Sequence, residues 1–144
     1  MVMTTTYDDE NVVDFKDWIV ANITHLAVGY NTGTTVGQKS DVALDSEWSA
    51  GHAGYTTRYA ISWFWDLPTR ELLATVNVLA ADGPVGTPDY FGEWGYVNTA
   101  TVGTVTPTST LYGRIGLPTG SRVKKFSTTA IKIDTIFKLA SEES

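Results

Sequence analysis

The residues best suited to chemistry are two carboxylates in aromatic surroundings, Glu47 beside Trp48 and Glu93 beside Trp94. Glycoside hydrolysis needs such a pair, one acid and one nucleophile or base, held about 5–9.5 Å apart. The competing reading gives both glutamates to structure, each capping or bridging strands through backbone groups and an arginine, Arg58 or Arg114. Arg–carboxylate pairs fix geometry as well as charge. Glu93-Trp-Gly and Leu-Tyr-Gly-Arg114 fall in segments expected to be neighbouring strands. Glu47, Arg58, Glu93 and Arg114 are therefore assigned structural roles, and no catalytic residue is assigned.

Other chemistries lack their residues. His25 and His52 are the only imidazoles, and neither sits in HxxxH, HExxH or HxD spacing, so no metal site is expected. The chain has no cysteine, which excludes disulfide scaffolds, Cys-ligated zinc, iron–sulfur clusters and thiol nucleophiles. No serine lies in a GxSxG elbow, and the Gly29–Gly33 stretch is not closed by GK[ST] as a phosphate loop would be. No cofactor is expected. A sequence pI of about 4.7 and five dispersed cations without a recognition motif argue against nucleic acid as a partner. No apolar run approaches the roughly 20 residues of a membrane span, and the polar, acidic Met1–Glu10 is unlike a signal peptide. A soluble, unprocessed chain without a membrane partner is the expectation.

The elements that must position these side chains are mostly strands. A chain of 144 residues supports one core, hence one domain over 1–144. Val, Ile, Thr and the aromatics number 14, 7, 22 and 17 against nine Leu, a composition suited to pleated surfaces. Residues 11–23 form the one expected helix, with Val12, Phe15, Ile19 and Ile23 on a stripe and acids in its first turn. Residues 1–10 are expected as a flexible acidic end and 140–144 as a tail. Between them, 24–139 should form a single β-sandwich of about seven antiparallel strands, making the fold class mainly β with one N-terminal helix. Residues 55–66 alternate, with Tyr59, Ile61, Trp63 and Trp65 on one face, and a short turn joins them to 71–80. Residues 90–97, 111–117 and 129–139 supply further strands.

Charge is uneven. Residues 1–20 hold five acids against Lys16, a net of −4, whereas Arg122 to Lys138 holds five cations against Asp134, a net of +4. Docking of the helix on the final strand is expected, with Phe15 and Ile19 buried and Asp14 or Asp17 toward Lys124, Lys125 or Lys132. Five tryptophans are more than one small core accommodates. Phe15, Trp18, Trp48, Trp63, Trp65 and Trp94 are therefore candidates for a subunit interface or ligand platform.

The order of short motifs points further. Thr24-His25-Leu26-Ala27-Val28-Gly29 precedes a Gly/Thr loop and Ala43-Leu44-Asp45-Ser46-Glu47. Phe91-Gly92-Glu93-Trp94-Gly95-Tyr96, Leu111-Tyr112-Gly113-Arg114, Lys124-Lys125 and a long final strand follow. This succession resembles the N-terminal domain of tailed-phage tail-collar fibre proteins and related small virion surface proteins. The resemblance implies a rigid β domain that assembles symmetrically and docks on a larger particle. No fibre shaft, coiled coil or repeat follows Leu139, which favours a free-standing subunit. The expected function is that of a non-enzymatic virion structural protein of a tailed virus. It would be a homo-oligomer on the particle surface, as capsid turret or decoration or as tail collar or baseplate component, assembled in the host cytoplasm. Its partners would be its own copies, other virion proteins and, through a role in host attachment, a host-surface glycan. The alternative is a non-catalytic carbohydrate-binding module that uses Trp48, Trp94 or the Trp63/Trp65 face.

Overall fold

The computed structural model describes residues 2–30, 43–49, 54–82, 89–103 and 110–139. The loop at Asn31–Thr35, His52 and the tail 140–144 lie outside the described residues, as does most of the excursion between residues 81 and 89. The fold is mainly β with one N-terminal helix and antiparallel sheets.

Helix α1 spans Val2–Asn22, and nine strands follow among the described residues: β1 (His25–Gly29), β2 (Tyr59–Ala60), β3 (Ser62–Asp66), β4 (Glu71–Val78), β5 (Asp89–Phe91), β6 (Glu93–Val97), β7 (Leu111–Gly116), β8 (Val123–Lys125) and β9 (Ile131–Lys138). They form a four-stranded sheet in the order β2-β1-β6-β7, a three-stranded sheet β3-β4-β9 and a small pair β5-β8, in a sandwich-like arrangement. The core draws on both larger sheets: Leu26 and Val28 from β1 and Tyr96 from β6 meet Leu72, Val76 and Val78 from β4 and Ile133 from β9. Strict alternation along β4 puts Leu72, Ala74, Val76 and Val78 inside.

Among the described residues two of the expected strands each divide between sheets. The run 55–66 breaks after Ile61, whose N–H still donates to Thr24 O at 3.0 Å in step with the β1–β2 register, whereas Ser62 onward pairs with β4. The run 90–97 breaks at Gly92, whose N–H bonds Gly29 O at 2.9 Å while its carbonyl accepts from Leu117 N at 2.7 Å. A Cβ at Gly92 would lie 2.1 Å from Tyr30 O, so only glycine lets the chain change sheets there. A further strand, β8, falls in the Lys124-Lys125 segment between the strands expected at 111–117 and 129–139. It pairs with β5 and buries Lys125, whose Nζ donates to Ala80 O at 3.0 Å and Phe126 O at 2.8 Å.

The helix also departs from expectation. It starts at Val2, not residue 11, so 2–10 are helical rather than a flexible end, and no acid lies in its first turn. Helix propagation is far less costly than nucleation, so turns anchored at the C-terminal end extend backward through residues of modest propensity. At that end Ile19 and Ile23 are buried, whereas Phe15 is 54% exposed. Among the described residues the expected charge docking is absent. Asp17 pairs with its neighbour Lys16, Lys132 pairs with Asp134 at 3.1 Å, and Lys125 is held by carbonyls. Instead, Trp63 Nε1 of β3 donates to Ile23 O at 3.0 Å, Lys16 lies 5.8 Å from the Trp65 ring centroid, and Trp18 meets Tyr112 of β7 edge-on at 5.8 Å. The helix is thus tied to both large sheets at one end of the molecule. Trp63→Phe should lower stability by about 1 kcal/mol through the lost hydrogen bond, while Phe15→Ala should stay within about 0.5 kcal/mol. Urea unfolding midpoints of the two variants check this contrast.

Candidate functional site

Two arginine–glutamate pairs meet around Gly29, the last residue of β1. In the β1–β6 ladder Gly29 faces Glu93, and on its other side it forms an isolated bridge with Glu47. The segment carrying Asp45, Ser46 and Glu47 therefore runs beside β1, opposite β6. Its approach is close: a Cβ at Gly29 would sit 2.4 Å from Ser46 O and 2.7 Å from Glu93 Oε1.

Glu93 is fully buried. Its Oε2 accepts from Arg114 Nε at 2.7 Å and Asp45 N at 3.0 Å, and its Oε1 accepts from Ser46 N at 2.6 Å. Arg114 reaches it from β7, where it stands opposite Gly95, two residues along from Glu93. One carboxylate thus joins β6, β7 and the 45–46 segment. The second pair is bidentate. Arg58 Nε donates to Glu47 Oε1 at 2.8 Å and Nη2 to Oε2 at 2.9 Å. Tyr55 OH adds a bond to Oε1 at 3.0 Å, and Gly103 N one to Oε2 at 3.1 Å. Arg58 is itself buried and also approaches Thr99 O at 3.5 Å.

Burial, reinforced by the Glu47 charge, pushes the Tyr55 phenol far above its usual value, so it serves Glu47 as a neutral donor. Every carboxylate oxygen of Glu47 and Glu93 accepts at least one hydrogen bond, and each carboxylate faces a guanidinium. Among the described residues no group of three or more His, Cys, Asp or Glu is placed to hold a metal ion. No helix of those residues is long and apolar enough to cross a membrane.

His25, at the start of β1, has Thr24 Oγ1 2.8 Å from its Nδ1. Burial first, and the Arg58 cation second, lower its pKa from the ordinary 6.5. The unfolded chain then binds that proton more readily than the folded one. Stability should hold above pH 6.5, fall as pH drops below it and level off once the folded-state value is passed. His25→Gln should flatten that part of a stability–pH curve measured by denaturant unfolding.

The candidate platform residues separate into two groups. Trp48 is fully buried, edge-on to Tyr55 and Phe91 at 5.9 and 6.5 Å, with its Nε1 donating to Tyr90 O at 3.3 Å. Trp63, Trp65 and Trp94 are half-buried against the core. Trp94 stacks on Phe91 at 5.6 Å, and its buried Nε1 has no acceptor among the described residues. Phe15 and Trp18 stack at 6.5 Å on the outside of α1, and Trp18, 48% exposed, continues onto Tyr112 of β7. Exposed Ile115 of the same strand extends this surface beside a cleft of about 250 Å³ that also admits Tyr96, Thr135 and Phe137.

Sequence reasoning did not single out Tyr55, Gly29 or the amides of Asp45, Ser46 and Gly103. Only Gly29 carried a signal, as a glycine ending an apolar run just before a loop. No protein-family model matches the chain, and no curated protein or solved structure matches it either.

Proposed function

We propose that this chain is a non-enzymatic structural protein of a tailed-virus particle, a symmetric oligomer on the particle surface that contributes to the capsid turret or decoration, or to the tail collar or baseplate. The observation that carries the reading is the outward aromatic surface formed by Phe15, Trp18, Tyr112 and Ile115 along α1 and the edge strand β7. A small domain that leaves such rings in water gains by covering them with a neighbouring subunit. Two further features support it. The carboxylates best placed for acid–base work are engaged in cross-linking strands, and the succession of motifs from Thr24 to the final strand resembles that of tail-collar fibre domains. Of the tryptophans on which a carbohydrate platform would rest, Trp48 is fully buried and Trp63, Trp65 and Trp94 are half-buried against the core.

The reading predicts that the chain travels with density-gradient-purified particles and is accessible to antibody on intact ones. Recovery only in the soluble fraction of infected cells would rule it out.

A further inference from the structure

Strand β9 is an edge whose form fits one partner. Among the described residues it pairs only with β4, without a register shift. At eight residues it is longer than the other edges of the two large sheets, which have two, five and six, and it contains no proline. Strand edges of this length are templates for pairing unless covered.

Its free side can be assigned. Leu139 N donates to Arg70 O at 3.2 Å, in step with the Glu71–Lys138 register, so the odd residues of β9 direct their backbone groups to β4. By the alternation of antiparallel ladders, Lys132, Asp134, Ile136 and Lys138 direct theirs to the open edge. The same residues carry the outward side chains, among them Ile136, 57% exposed. Ile136 ends an apolar row that crosses the sheet through Leu73 to exposed Phe64 and borders a hollow of about 130 Å³ lined also by Asp66 and Glu71.

Antiparallel self-pairing of β9 that keeps side chains on their faces admits four registers with five or more paired residues. The two longest set Asp134 against its own copy or Lys132 against Lys138, both like-charge pairs that destabilise a ladder. Centring on Ile133 leaves Ile136 outside the paired segment. Centring on Ile136 sets that residue against itself and Asp134 against Lys138 of the second copy, twice by symmetry.

We propose that β9 is the seam of a two-fold homodimer, pairing antiparallel with β9 of a second copy about Ile136. The inference rests on the oligomeric reading above and names the strand that makes one contact. The two three-stranded sheets join as β3-β4-β9-β9-β4-β3, and the apolar rows become one row six side chains wide. An Asp134–Lys138 pair flanks it on each side. Six backbone hydrogen bonds form, two for each of the pairs 134–138, 136–136 and 138–134.

A charge exchange tests this in the intact chain. Asp134 and Lys138 side chains are 43% and 69% exposed, so substitution leaves the core untouched, which thermal unfolding verifies. Sedimentation equilibrium should show a wild-type dimer. Asp134→Lys and Lys138→Asp should each weaken it about tenfold or more, because each puts like charges opposite at both ends. An equimolar mixture of the two variants should regain the dimer, since in the mixed pair both contacts are again opposite in sign. A wild-type dimer indifferent to both substitutions, or a mixture that fails to recover, overturns the β9 seam and leaves the oligomeric reading standing. A wild-type chain that stays monomeric at millimolar concentration and at both low and molar salt overturns both.

Discussion

Replacing Glu93 with alanine is expected to lower stability by about 3–5 kcal/mol, the cost of leaving one partner of a buried ion pair behind. The side chain is fully buried, and its loss strands the Arg114 Nε together with the amides of Asp45 and Ser46. Glu93→Gln should cost less, because a carbonyl oxygen still accepts one of those bonds while the charge is lost. Equilibrium urea unfolding of the two variants, with unchanged slopes, measures the difference. Equal and small effects, below about 1 kcal/mol, would mean that the carboxylate does not hold the strands together.

Gly29→Ala is the second large effect, about 3 kcal/mol, the upper end of the usual overpacking range. The added methyl would meet the Ser46 carbonyl oxygen at 2.4 Å and Glu93 Oε1 at 2.7 Å. The first is backbone, and the second belongs to a carboxylate pinned by Ser46 N on Oε1 and by Arg114 and Asp45 N on Oε2, so neither can turn aside. Relief requires β1 to separate from the 45–47 segment, which also carries Glu47 and its bond to Arg58. Thermal unfolding should therefore show a lowered midpoint, and the Tyr55 and Trp48 environments, read by near-ultraviolet circular dichroism, should change with it. A variant with an unaltered spectrum and midpoint would contradict the close packing on which both ion pairs depend.

How much of this was legible in the chain follows from the range over which each signal acts. Alternation in β4 and β9 is a local pattern, and the buried faces follow from it: Leu72, Ala74, Val76 and Val78, and Ile133. The arginine partners of Glu47 and Glu93 were confined to two by scarcity, since the chain offers few arginines near strands. Which arginine meets which glutamate is set by the pairing of β6 with β7. Tyr55 and Gly103 reach Glu47 through chain crossings that leave no local mark. The changes of sheet after Ile61 and at Gly92 were hidden because alternation continues across them, while the hydrogen-bonding partner changes. Phe15 misled for a related reason. The helical stripe is genuine, but burial along it is uneven: Ile19 and Ile23 are buried, whereas Phe15 is 54% exposed. Periodicity tells which face of a helix is apolar, not how far the partner surface extends.

The most direct measurement is a cryogenic reconstruction of the purified particle at a resolution that separates sheets. The account predicts density for this fold at symmetry-related positions on the particle surface, with α1 and β7 turned toward a neighbouring subunit so that Trp18 and Tyr112 are covered. Particles complete in every other respect but without this density, or copies whose α1–β7 surface faces open solvent, would contradict it.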